Sequence, residues 1–85
     1  MGDVPVLKVQ ARAPFQVYFE GEALVVTATN TVGRFDILPG HANFFSVINP
    51  DSEVIIRTEK EDTRINVSNG ILSVKDNEVL LFLDI

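Results

Sequence analysis

The chain has 85 residues, a formal net charge of −5, 46% hydrophobic and 22% charged residues, and no cysteine. That is enough for one domain and too little for two, and it excludes disulfides and thiolate metal sites. The seven Lys and Arg residues are scattered and mostly stand beside acids, which argues against binding nucleic acid or docking directly on an anionic membrane.

No apolar run reaches the ~20 residues that a membrane-spanning helix requires. The N-terminus shows neither a signal-peptide nor a transit-peptide pattern. Met1-Gly2 fits the start of a myristoylation motif, but Val6 stands where that motif wants Ser or Thr, so any membrane contact is expected to run through a partner.

Along the chain the hydrophobic period is two. Leu7, Val9 and Ala11 alternate with Lys8, Gln10 and Arg12, and Pro14 stops that first strand. Phe15, Val17 and Phe19 alternate with Gln16, Tyr18 and Glu20, and Glu20-Gly21-Glu22 marks a bend or bulge. Ala23 to Ala28 is more continuously apolar, as a central strand is. Gly33 marks the next bend. Beyond it Phe35 and Ile37 point one way, Arg34 and Asp36 the other.

Leu38-Pro39-Gly40-His41 has the form of a type II turn: proline presets φ at the second position and glycine accepts positive φ at the third. Phe44 to Ile48 then runs back into the core. Phe44 and Phe45 cannot both face inward on one regular strand, so one of the pair is expected at an apolar interface. Asn49-Pro50-Asp51-Ser52 is a loop, and Glu53 to Thr58 alternates again. Glu59-Lys60-Glu61-Asp62 is a charged hairpin tip, and Ile65 and Val67 alternate with Arg64, Asn66 and Ser68. Asn69-Gly70 carries the strongest hairpin signal, because both residues tolerate the positive φ of a type I′ turn. Asp76-Asn77 closes another hairpin before the apolar run Val79 to Leu83.

These segments predict an all-β domain over residues 1–85: a sandwich or flattened barrel of two antiparallel sheets with roughly nine to ten short strands and no C-terminal helical hairpin. The six phenylalanines, Phe15 and Phe82 among them, are mostly assigned to the core by alternation. His41 has nominal catalytic partners in Asp36, Ser46 and Ser68. However, a single histidine with no nucleophile motif reads as a loop or interface residue, so no catalytic residue is assigned. The carboxylates stand singly on turns, so neither a metal site nor a cofactor is expected.

The stretch from Gly33 to Ala42, Gly-Arg-Phe-Asp-Ile-Leu-Pro-Gly-His-Ala, resembles the G-x-x-G-I-L-P-G-H-A motif of the epsilon subunit of F-type ATP synthases, called delta in mitochondria. Ile65 to Val74 resembles that family's V-S-G-G hairpin, and Phe19-Glu20-Gly21-Glu22-Ala23 its entry to an early strand; the three occur in the family's order and cover nearly the whole chain. There are departures. Asp36 and Asn69 replace glycines, Asn43 stands where proline is common, and Arg34 takes a position that is often acidic. The two C-terminal helices that usually follow the family's last strand, and the regulation they carry, have no counterpart among these residues.

The resemblance implies a non-catalytic β-sandwich on the central stalk of a rotary motor. Such a domain couples the gamma subunit to the c-ring, so that ion transport drives ATP synthesis at the cytoplasmic face of a bacterial-type membrane. It implies Arg34 and Phe35 near the c-ring and His41, Ala42, Ala11 and Arg12 near gamma, and Phe44 and Phe45 are added to the expected gamma interface. Gly33, Pro39, Gly40, Asn69 and Gly70 are expected to shape turns. The competing expectation is a stand-alone protein-binding module on the same fold.

Overall fold

The computed structural model describes residues 4–85, so Met1-Gly2 and the myristoylation reading lie outside the described residues. Among the described residues there are nine strands and no helix: β1 (Leu7–Ala13), β2 (Gln16–Ala23), β3 (Val25–Asn30), β4 (Gly33–Ile37), β5 (Phe44–Ile48), β6 (Ser52–Arg57), β7 (Asp62–Val67), β8 (Asn69–Lys75) and β9 (Glu78–Asp84). They build a five-stranded sheet in the order β2-β1-β9-β8-β5 and a four-stranded sheet in the order β4-β3-β6-β7.

Alternation does what the pattern demands. Leu7, Val9 and Ala11 of β1, Leu72 and Val74 of β8, and Val79, Leu81 and Leu83 of β9 face Val26, Ala28, Ile37, Val54, Ile56, Ile65 and Val67 of the other sheet in one core. Fully burying a Val, Leu or Ile side chain contributes about 1.5–3 kcal/mol, so this layer dominates the stability. Ile55 is the exception. It lies outside that core, in register between Thr27 and Arg64 on the outer face of the four-stranded sheet, and is still only 1% exposed. Two ion pairs flank it, Arg64–Glu53 at 3.0 Å and Arg57–Asp62 at 3.7 Å. Each is solvent-exposed and worth about 0–1 kcal/mol.

Three sequence expectations are corrected. The sheets are not wholly antiparallel: β1 and β9 run parallel, from Lys8 opposite Glu78 to Arg12 opposite Phe82. Period two reports which face is buried and is silent on strand direction.

Asn69-Gly70 is not a hairpin turn. β7 and β8 belong to different sheets, Ser68 alone bends between them, and neither Asn69 nor Gly70 has positive φ. Gly70 is required for space: a Cβ there would lie 2.9 Å from Leu83 Cδ2, 3.0 Å from the Phe82 carbonyl oxygen and 3.3 Å from Ile48 Cδ1. The left-handed hairpin pair is Asp76-Asn77, at φ 50° and 63°, where β8 turns into β9.

Phe15 and Phe82 are not core residues. Phe15 sits with Pro14 at the tip of the β1–β2 hairpin and is fully exposed; Phe82 is 45% exposed because its neighbours Leu81 and Leu83 take the inward face.

Replacing Gly70 by alanine is expected to cost about 1–3 kcal/mol through overpacking, while Asn69→Ala, on an exposed position, changes stability by less than about 0.5 kcal/mol. Urea unfolding of the two variants tests this; equal stabilities would refute the steric account of Gly70.

Candidate functional site

The corner between β4 and β5 is a crossing from one sheet to the other. Pro39 fixes the entry, Gly40 adopts φ +87°, and the His41 amide donates to the Leu38 carbonyl at 3.1 Å, which closes the type II turn expected from the sequence. His41 Nδ1 lies 2.8 Å from the Ala42 carbonyl oxygen, a contact that places a proton on Nδ1. The imidazole meets Phe44 edge-on at 5.5 Å, and Phe44 meets Phe35 in the same manner at 5.5 Å. Both phenylalanines are half-buried against the core, so a chain of three rings ties the corner to the interior.

The nominal catalytic partners of His41 are engaged elsewhere. Asp36 accepts the Thr27 hydroxyl at 2.6 Å, Ser46 accepts from Asn30 Nδ2 and donates to the Val47 carbonyl, and Ser68 donates to the Asp84 carbonyl. Asp36 lies in strand β4 and is not in the positive-φ set, so its backbone carries no left-handed strain. Among the described residues no three of His, Asp and Glu converge as metal ligands.

The second candidate surface is the outer face of the five-stranded sheet, where three rows run in register across the strands. Nearest the corner, Glu22, Lys8, Glu78 and Lys75 lie side by side with alternating charge. Next come Glu20, Gln10, Leu80, Ser73 and Phe45. The last row is Val17, Arg12, Phe82, Ile71 and Val47, apolar on every strand except β1. Arg12, Phe82, Ile71 and Val47 of this row line a shallow groove of about 380 Å³. Phe45 and Val47 are each 63% exposed. Exposed apolar area of this kind is characteristic of surfaces that another molecule covers.

The residues singled out from the sequence divide accordingly. His41, Ala42 and Phe44 gather at the corner, with Ala42 exposed. Phe45 and Arg12 share the outer face of the five-stranded sheet but lie toward opposite edges, with β9 and β8 between them. The parity argument for Phe44-Phe45 holds: Phe44 packs inward and Phe45 points out. Ala11 is wholly buried and presents no surface, so a contact in this region falls to Arg12. Arg34 is exposed on the outer face of the four-stranded sheet, while Phe35 turns the opposite way into the ring cluster. Sequence reasoning missed Val17, Val47, Ile71 and Phe82. For Val47, Ile71 and Phe82 the signal was there, apolar residues on the outward parity of three separate strands, but only the strand order places them in one row; Val17 shares sequence parity with Phe19 and is turned outward by the register shift of β2 opposite Ala11 and Arg12.

A family model, the β-sandwich domain of the ATP synthase delta/epsilon chain, matches residues 6–84. The ATP synthase epsilon chain of Clostridium novyi is 31% identical over 77 residues, which is 91% of this chain and 59% of that protein. The epsilon chain of Bordetella petrii is 35% identical over 78 residues, 92% of this chain and 55% of that protein. This chain therefore spans less than two-thirds of the length of these curated relatives. Among solved structures, the fold matches a chain of the Euglena gracilis mitochondrial ATP synthase OSCP/F1/c-ring assembly, with a TM-score of 0.84 and 16% identity over 96% of this chain and 53% of that one. It also matches a chain of the Tetrahymena thermophila mitochondrial ATP synthase central stalk and c-ring, with a TM-score of 0.78 and 20% identity over 93% of this chain and 63% of that one.

The corner's backbone yields its own test. A Cβ at Gly40 meets nothing within 4 Å, so the only penalty for Gly40→Ala is the left-handed φ. A loss of about 1–2 kcal/mol is expected by chemical denaturation; an unchanged midpoint would mean that the loop relaxes freely to another conformation.

Proposed function

The chain belongs to the family of ATP synthase delta/epsilon chain β-sandwich domains, and from that premise we propose that it is a non-catalytic central-stalk component that couples gamma to the c-ring of a rotary ATP synthase. One observation carries the reading beyond family membership: the apolar row Val17, Phe82, Ile71 and Val47, with Phe45 beside it, on the open face of a two-layer domain. A soluble sandwich that leaves such a surface uncovered is built to be covered by another protein.

Gamma then lies along the β5 side, from His41 and Ala42 at the corner to Phe45 and Val47 on the sheet face. The c-ring loops lie toward Arg34. The domain itself transmits load. Ladders join the strands within each sheet and one shared core joins the two sheets, so the pair moves as one body when gamma turns. Its place is the cytoplasmic face of a bacterial-type membrane, reached through the complex. His41 acts in this reading as a docking residue, in keeping with its bond to the Ala42 carbonyl and its contact with Phe44.

Binding to the cognate gamma subunit tests the assignment. Phe45→Glu is expected to weaken it at least about tenfold, the effect of losing one well-packed aromatic anchor, with the circular dichroism spectrum and melting temperature retained. A wild-type chain with no affinity for gamma would instead favour the stand-alone binding module.

Arg34 offers a cation where relatives often have an acid, so the cognate c-subunit loop is expected to carry a compensating acid. Arg34→Glu should then weaken binding to the isolated ring, more so at low salt. Unchanged or improved binding would remove Arg34 from that interface.

A further inference from the structure

Two asparagines, 34 residues apart in the sequence, exchange hydrogen bonds between the corner and the β8–β9 hairpin. Asn77 Oδ1 accepts the Gly40 amide at 2.7 Å, and Asn43 Oδ1 accepts the Asp76 amide at 3.3 Å. The Asn77 carbonyl also accepts the Lys8 amide at 2.8 Å, which anchors the hairpin tip to the start of β1. The Gly40 amide has no partner within the turn itself. In the type II turn the closing bond is made by His41, and the Gly40 N–H takes no part in it.

Both asparagines are suited to this on local grounds. Asn77 occupies φ 63°, where asparagine is among the most tolerant non-glycine residues, so one residue supplies the hairpin's backbone and the acceptor for the loop. Asn43 precedes β5 at the end of the loop, and its side-chain oxygen supplies the acceptor for the Asp76 amide.

We propose that Asn43 and Asn77 form a clamp that holds the Leu38–Asn43 loop in its docking geometry, making them positioning residues for the gamma-binding surface and the Asp76-Asn77 tip part of that surface. The proposal rests on the gamma-binding reading above. All four partners are exposed, so water competes for each bond and the clamp adds little to global stability. Its effect falls on the loop. A corner whose competent conformation is only partly populated binds with an affinity reduced by that fraction.

The experiment compares wild type with Asn77→Gly, which keeps the left-handed turn and removes the acceptor, and with Asn77→Asp, which keeps both. Amide hydrogen exchange at Gly40, measured on the domain alone, is expected to accelerate by about fivefold in N77G, the worth of one net hydrogen bond. Affinity for the cognate gamma subunit is expected to fall by a similar factor while the melting temperature holds, and N77D should restore both readouts. Asn43→Ala should act in the same direction. Unchanged Gly40 exchange in N77G would overturn the clamp. Accelerated exchange with unchanged gamma affinity would overturn its role in docking. A wild-type domain that does not bind gamma would overturn the docking role together with the assembly reading, and Gly40 exchange would still decide the clamp itself.

Discussion

The pleat of a β-strand turns neighbouring side chains to opposite faces, and both sheets here press one face into a single thin core. With 85 residues there is no material for a second core, so each strand must find its place in one of the two layers. The chain passes between the layers four times, at Leu24, at the Leu38–Asn43 corner, at the Asn49–Asp51 loop and at Ser68. Polar ties bind the layers where they meet: the Asn49 amide donates to the Thr29 carbonyl at 2.8 Å, and Asn30 Nδ2 donates to Ser46 Oγ at 3.0 Å. The special backbone between Gly33 and Asn43 thus has a structural cause before it has a functional one. The chain must leave one sheet and enter the other within six residues, and a proline followed by a left-handed glycine does that compactly.

What the sequence discloses follows from the range of each signal. Parity is local, so the buried faces of β1 and β7 were legible, and Phe44-Phe45 had to split. Direction and partnership are not local, so the parallel pairing of β1 with β9 was hidden. Asn69-Gly70 misleads because glycine has two distinct uses, freedom of φ and absence of a side chain, and a dipeptide cannot show which one applies. Leu83 and Ile48, the residues that crowd Gly70, lie far away in sequence. The actual type I′ turn, Asp76-Asn77, has no glycine and gave a weaker signal. Phe15 misleads differently: at a hairpin tip the pleat has ended, and alternation assigns no face. The corner was legible in outline, as a Pro-Gly turn, but its ties to Asn77 exist only after β8 and β9 have folded beside it.

The outer face of the five-stranded sheet grades from charged to apolar within three rows, and Arg12 is the one residue that breaks the grading. It stands in the apolar row between Val17 and Phe82, with its Nε donating only a long 3.4 Å bond to the Ala13 carbonyl. A partner seated over Phe82 and Ile71 draws that guanidinium out of water, and an uncompensated buried cation is far more costly than the apolar burial around it is favourable. A protein that covers the row must therefore bring a carboxylate or several carbonyl oxygens to Arg12, or leave it at the rim. A purely apolar surface fits Val47 and Ile71 and fails at Arg12. Apolar area and one fixed charge set into it are different constraints: the first gives affinity to many partners, and the second gives register to one.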